Sequence, residues 1–144
     1  MIRAVLDANV FVTAVLTPAG PAAAVLEAWR SERFELLVSQ PILDELARVL
    51  AYPKIARRHG WPRKEILAFV RDLGDLAVQT PGRIELAVIR EDPDDDRYLE
   101  CAVEGRAGYI VSGDRHLLAL GIYRDIEVVP PRAFLATLPT ARSQ

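Results

Sequence analysis

Short apolar runs, separated by longer amphipathic stretches, are the feature that most constrains the fold of this chain. The runs at residues 2–6, 34–38, 84–89, 109–112 and 126–129 have the length of strands, and Asp7 and Asp114 follow the first and the fourth of them. Such runs alternating with helical stretches predict a parallel sheet with helices on both faces. We therefore expect a single three-layer α/β domain with a parallel central sheet of four to five strands.

Length supports one domain. The 144 residues suffice for one ordinary core, and 51% of them are hydrophobic. We expect this domain to occupy residues 1–138 and residues 139–144 to form a short C-terminal tail. The N-terminal apolar stretch is interrupted by Arg3, Asp7 and Asn9, so we expect neither a signal peptide nor a membrane anchor.

Charge and cysteine content narrow the functional classes. The 18 Lys and Arg residues against 20 Asp and Glu give a net charge of −2, so any surface that binds nucleic acid must be local. Cys101 is the one cysteine in the sequence, which excludes an internal disulfide. This usage is typical of a reducing compartment, and we expect a cytoplasmic protein.

The two carboxylates that follow apolar runs are candidate functional residues. Ligands of parallel α/β sheets bind beyond the carboxyl ends of the strands, which is where Asp7 and Asp114 lie. A charge at the end of a buried strand is costly unless another group compensates it. The alternative is local turn chemistry, because aspartate often ends a strand by bonding its own turn.

A third carboxylate comes from the helix predicted over residues 41–51. Ile42, Leu46 and Val49 form part of its apolar stripe, and Glu45 lies about 100° from the centre of that stripe. Glu45 is therefore at the border of the buried face and can point into a cleft. Asp44 falls on the opposite, solvated face.

The next predicted helix begins in an acidic cluster, because five of the six residues at positions 91–96 are acidic. Capping explains Asp92 and Asp94. Asp95 continues the apolar face at about 40° from its centre, and Asp96 lies at about 60° on the other flank. Mg²⁺ or Mn²⁺ would relieve the repulsion among such acids. The candidate metal ligands are Asp7, Glu45, Asp95 and Asp114, with Asp96 as a weaker alternative.

Three stretches, taken in order, resemble the PIN-domain nucleases, particularly the VapC-type toxins of toxin–antitoxin pairs. They are VLDANVFVTAVL, FELLVSQPILDELARVL and EDPDDDRYLECAVEGRAGYIVSGDRHLLAL. The resemblance implies a PIN-like fold and a metal-dependent endoribonuclease in which the four acids hold one or two Mg²⁺ or Mn²⁺ ions. It also implies an RNA substrate, a small antitoxin partner and a homodimer or higher homo-oligomer.

Neutral and basic residues extend the candidate site. Asn9 and Ser112 can orient a carboxylate or a water, although turn hydrogen bonding explains them equally well. Basic residues with interleaved Tyr52 and Trp61 can bind RNA, the alternative being a solvated helix face with Trp61 in the core. The candidate RNA-binding residues are Lys54, Arg57, Arg58, Arg63, Lys64 and Arg115.

Two other functional classes remain open from the residues alone. One is an RNA- or partner-binding module that keeps this fold without turnover. The other is a haloacid-dehalogenase-like phosphatase, which also begins with an apolar strand that ends in aspartate. Those enzymes place a second aspartate two residues later, where this chain has Asn9, so the phosphatase is disfavoured.

Overall fold

The computed structural model describes residues 1–139 and contains one six-stranded sheet. The strands are β1 (Arg3–Leu6), β2 (Glu35–Val38), β3 (Val78–Gln79), β4 (Tyr109–Val111), β5 (Ile122–Tyr123) and β6 (Ile126–Val129). Their order across the sheet is β3-β2-β1-β4-β6-β5. All neighbours are parallel except β5 and β6, which are antiparallel.

Helices connect and cover these strands. They are α1 (Ala8–Leu16), α2 (Pro21–Arg30), α3 (Gln40–Leu50), α4 (Pro53–His59), α5 (Arg63–Leu76), α6 (Asp96–Gly105), α7 (Arg115–Leu118) and α8 (Pro131–Thr137). A 3₁₀ turn, Pro93–Asp95, leads into α6. The expected single α/β domain with a mostly parallel sheet flanked by helices is confirmed. The sheet has more than the expected four to five strands because β3 and β5, at two residues each, are too short to leave a sequence pattern.

The core is formed by the central strands together with α1, α2, α3 and α6, and α6 packs on β1, β2 and β4. β1 is central, and Ala4, Val5 and Leu6 on it are at most 1% exposed. Gly105, at the end of α6, lies so close to the sheet that a Cβ there would stand 2.5 Å from Leu37 Cδ1. This close approach fixes α6, and therefore the residues that precede it, against the carboxyl edge of the sheet.

The prediction of a strand at residues 84–89 is wrong, because the structure has no regular secondary structure there. We call residues 82–89 the strap. Its main-chain N–H groups donate to three carboxylates spaced four residues apart on one face of α6. The bonds, of 2.8–3.1 Å, run from Gly82 and Arg83 to Glu104, from Leu86 to Glu100, and from Val88 and Ile89 to Asp96.

Two expectations concern the ends of the chain and membranes. The predicted tail lies outside the described residues except for Pro139, whose carbonyl accepts a hydrogen bond from Arg33 at 2.8 Å. Within residues 1–139, no single helix is long and apolar enough to cross a membrane. The helices α1 and α2 reach that length and apolarity only as a pair, and they meet at a bend of 103°.

Candidate active site

Asp7 links the end of β1 to α1 and is 3% exposed. Its Oδ1 accepts the main-chain N–H of Asn9 at 3.0 Å, and its Oδ2 accepts the Ser112 hydroxyl at 2.7 Å. Ser112 Oγ accepts the N–H of Asp114 at 2.9 Å. Ser112 therefore ties together the two aspartates that follow β1 and β4. The side chain of Asn9 is exposed, so in this structure its main chain alone holds Asp7.

Asp114 caps α7. Its Oδ1 accepts the main-chain N–H groups of His116 at 2.7 Å and Leu117 at 3.2 Å. The local turn chemistry considered for strand-end aspartates is thus present here. It occupies one carboxylate oxygen and leaves Oδ2 outside the cap. The charge of Asp114 also raises the pKa of Asp7, where burial is the larger cause and hydrogen bonds from Asn9 and Ser112 act in the opposite direction.

Asp95 lies in the 3₁₀ turn before α6 and faces the other two aspartates. Burial raises its pKa to about 7, and the charges of Asp114, Asp92 and Asp7 add to the effect. Its Oδ2 is buried and has no hydrogen-bond partner among residues 1–139. A buried carboxylate oxygen without a partner, surrounded by like charges, is stabilised either by a proton or by a cation. We call Asp7, Asp95 and Asp114 the aspartate cluster.

Asp96 lies apart from this cluster. It is 5% exposed, and its Oδ1 accepts the two N–H groups of the strap at Val88 and Ile89. The adjacent acids therefore point to different places. The charges of Asp114 and Asp7 act on the pKa of Asp95. Metal binding by Asp95 or by Asp96 stays a prediction.

Sequence reasoning missed Tyr98. It is 3% exposed, and its hydroxyl accepts the main-chain N–H of Ala8 at 3.2 Å. Burial, and after it the charge of Asp7, raises the pKa of Tyr98. The hydroxyl therefore stays protonated beside the aspartate cluster. Its position three residues after Asp95, on the same face of α6, was the available signal.

Glu45 lies among arginines. Its side chain on α3 is 25% exposed, its Oε1 pairs with Arg48, and the same oxygen lies 3.5 Å from Arg97 Nη1. Arg97 immediately follows the acidic run that contains Asp95. The structure thus brings Glu45 to the neighbourhood of the cluster through Arg97, and does not bring it into carboxylate contact with the aspartates.

The acids are not gathered into a ready-made metal centre. Across residues 1–139, no group of three or more histidine, cysteine or carboxylate side chains is close enough to hold a metal ion as the side chains stand. The aspartates of the cluster nevertheless lie near enough for their charges to raise the pKa of Asp95.

The candidate RNA-binding residues are all exposed, and none of them forms an ion pair within the described part of the chain. Five lie on α4 and at the start of α5, and Arg115 lies beside Asp114. Tyr52 is 46% exposed. Trp61 packs between His59 and Phe69, with ring centroids 5.2 and 5.4 Å away. Tyr52 is therefore free to stack on a base, whereas Trp61 is held in the protein.

Acidic side chains at the carboxyl edge of a mostly parallel sheet define the class of α/β proteins with a carboxylate-lined site. A family model described as the PIN domain matches residues 3–116. The chain belongs to the PIN-domain family. PIN domains are generally nucleases and typically depend on divalent metal ions. The match does not support the phosphatase alternative.

Two relatives place the chain further. It is 29% identical over 119 residues to the uncharacterized protein MJ1680 of Methanocaldococcus jannaschii, and the match covers 83% of this chain and 75% of that protein. The fold is similar to that of VapBC2 from Rickettsia felis, solved bound to a DNA fragment from their promoter. That likeness has a TM-score of 0.59 and 14% identity, and covers 88% of this chain and 97% of the other.

Proposed function

We propose that this chain is a Mg²⁺- or Mn²⁺-dependent endoribonuclease and the toxin of a toxin–antitoxin pair. The observation that carries the proposal is the aspartate cluster, in which Asp95 keeps an unpartnered buried oxygen and a pKa of about 7. Membership in the PIN-domain family supports nuclease activity. RNA as the substrate follows from the resemblance to VapC-type toxins.

The donor set fits a divalent cation in its chemistry. Three carboxylates that repel one another, one with a free oxygen, are the oxygen ligands that Mg²⁺ and Mn²⁺ prefer. Asp7, Asp95 and Asp114 would hold the metal, and Glu45 would join them after leaving its arginines. The bound metal would neutralise charge on the phosphodiester and lower the pKa of a water.

The surrounding residues of this chain orient the cluster. Ser112 donates to Asp7 and accepts from the main chain of Asp114, so it holds both aspartates in register. The protonated Tyr98 hydroxyl covers the buried side of Asp7. These contacts hold the carboxylates before any ligand arrives, which reduces the reorganisation that binding requires.

Substrate binding is assigned to the exposed basic residues. Arginine and lysine side chains without acidic partners are available for phosphates. Arg115 stands next to Asp114, so it can hold a phosphate beside the cluster. The basic residues on α4 and α5 would bind the RNA that flanks the cleaved phosphate, and Tyr52 would stack on a base. Because the whole molecule carries −2, this local surface must supply the attraction for RNA.

A small antitoxin is the proposed partner, supported by the fold likeness to VapBC2. A groove beside α2 and α5 offers an apolar surface for it, formed by two adjoining cavities of about 500 and 630 Å³ that share Arg30 and Phe69. Leu76, at the edge of the groove, is 75% exposed. A homodimer and a cytoplasmic location are proposed alongside, on the resemblance and the cysteine usage.

Cleavage of a labelled single-stranded RNA in Mn²⁺ tests the proposal. Asp95→Asn and Asp7→Asn are each expected to lose about 100-fold or more of the activity, because each removes a ligand charge. Asp44→Asn is the matched control, since Asp44 is exposed on α3 and accepts a bond from Gln40 away from the cluster. EDTA is expected to stop the reaction.

Equal cleavage by Asp95→Asn and the wild type would mean a contaminating nuclease and contradict the proposal. RNA binding by the wild type without any cleavage would favour the alternative of a binding module that keeps the fold without turnover.

A further inference from the structure

Arg97 joins the two parts of the predicted ligand set. Its Nη1 lies 3.5 Å from Glu45 Oε1 and donates to the carbonyl of Pro41 at 3.2 Å. Its Nε donates to the carbonyl of Asp94 at 2.7 Å. One guanidinium therefore contacts α3 and the 3₁₀ turn that carries Asp95, and it couples the positions of both.

The contacts of Arg97 are those of a fixed group. Its side chain is 17% exposed, whereas that of Arg48, the other partner of Glu45, is 52% exposed. Main-chain carbonyls from two separate elements hold the planar fork of the guanidinium in place. An exposed ion pair such as Arg48–Glu45 contributes little by comparison. Of the two partners of the Glu45 carboxylate, Arg97 is consequently the one that the protein itself holds in a fixed position.

Electrostatics gives the reason for holding Glu45 back. A fourth carboxylate brought to the aspartate cluster without a cation would add to the repulsion that already acts on Asp95. The positive charge of Arg97 offsets a small part of that repulsion. As the side chains of residues 1–139 stand, Glu45 does not form a metal-binding group with the aspartates, so its carboxylate must move from its place beside Arg97 to share a cation with them.

We propose that Arg97 is a positioning residue that keeps Glu45 out of the aspartate cluster until a divalent cation takes over the role of its counter-charge. This inference rests on the proposed function, since it assumes that the cluster binds metal. Binding of the cation then requires the Glu45–Arg97 pair to separate. The affinity of the wild-type protein for metal is therefore lower than its four acids alone would give.

Titration of the full chain with Mn²⁺ in the absence of RNA, with the heat of binding measured by calorimetry, tests the inference. Arg97→Gln keeps a donor near the position of Nε for the Asp94 carbonyl, loses the donor to the Pro41 carbonyl and removes the charge. It is expected to bind Mn²⁺ about 3- to 10-fold more tightly than the wild type, a range typical of coupling between contacting groups. Arg48→Gln is the matched control and is expected to stay within about twofold, because the exposed pair is weak.

A double variant separates release of Glu45 from a general effect of charge. If Arg97 acts through Glu45, Arg97→Gln should change Mn²⁺ affinity by less than about twofold in a Glu45→Gln background. A gain of the same size in both backgrounds would overturn the inference, as would an unchanged or weaker affinity of Arg97→Gln. If Arg97→Gln does not fold, Arg97→Lys decides. Lysine keeps the positive charge and lacks the planar guanidinium, and the inference requires Arg97→Lys to bind Mn²⁺ about twofold more tightly than the wild type.

Failure of the proposed function has a different outcome. If the wild type and Asp95→Asn bind Mn²⁺ equally, or neither binds it, both the metal site and the inference are overturned. If binding is lost in Asp95→Asn and Arg97→Gln matches the wild type, only the role of Arg97 is overturned.

Discussion

At the scale of single residues, Asp95 shows how the fold stores an unfavourable charge. Its pKa rises from 3.8 to about 7, first through burial and then through Asp114, Asp92 and Asp7. A raised carboxyl pKa means that folding disfavours the ionised form. The folded protein therefore loses stability as the pH rises from 3.8 towards 7, and the loss is complete above the folded-state pKa.

Removing this charge is expected to stabilise the metal-free protein. At pH 8 in EDTA, Asp95→Asn should raise the free energy of unfolding by about 1–2 kcal/mol, a value discounted for the partial exposure of the residue. Below pH 4 the difference should vanish, because the carboxyl is then protonated in both states. Urea unfolding at the two pH values measures it, with the exposed Asp75→Asn as control. A variant that is no more stable than the wild type at pH 8 would contradict this account of Asp95.

Spacing along the sequence singled out the candidate acids, and did not predict their contacts. Helical phase favoured Asp95 over Asp96 as a metal ligand, and that preference stays a prediction. The hold of Arg97 on Glu45 depends on side-chain conformations across two elements, which periodicity does not encode. Tyr98 was missed because the contact of its hydroxyl with the main chain of Ala8 joins two elements that are far apart in the sequence.

At the scale of elements, the strap explains much of the acidic sequence around α6. Ile84 and Leu86 alternate with the exposed Glu85 and Ala87 as in a strand, and the alternation ends where Val88 is followed by the buried Ile89. No neighbouring strand takes the main-chain N–H groups. The carboxylates of Asp96, Glu100 and Glu104 accept them instead. A strand and a strap leave the same alternation in a sequence, and only tertiary structure distinguishes them.

Loss of one of the α6 carboxylates that accept these hydrogen bonds should make the strap more mobile without unfolding the protein. Glu104→Ala removes the partner of the N–H groups of Gly82 and Arg83, and is expected to lower the free energy of unfolding by about 0.5–1.5 kcal/mol. Hydrogen exchange of residues 82–89 should accelerate more than exchange in β1. Glu85→Ala, an exposed change within the strap, serves as control. Unaltered exchange at residues 82 and 83 in Glu104→Ala would show that the carboxylate does not hold the strap.

At the scale of the whole molecule, the proposed function depends on separating opposite charges within a nearly neutral chain. The aspartate cluster lies at the carboxyl edge of the sheet, and most of the candidate RNA-binding residues lie on α4 and α5. The alternation of strands and helices predicted this sheet and the strand-end positions of Asp7 and Asp114. It could not predict the charge state of the assembled cluster, because that depends on burial in three dimensions.

The central claim is that the aspartate cluster is a divalent-metal site. The most direct measurement is the anomalous difference density of a crystal soaked in Mn²⁺. The account predicts a peak in contact with carboxylate oxygens of Asp7, Asp95 and Asp114, absent from crystals of Asp95→Asn treated in the same way. No peak at these side chains in the wild type, at Mn²⁺ concentrations that support RNA cleavage, would contradict it.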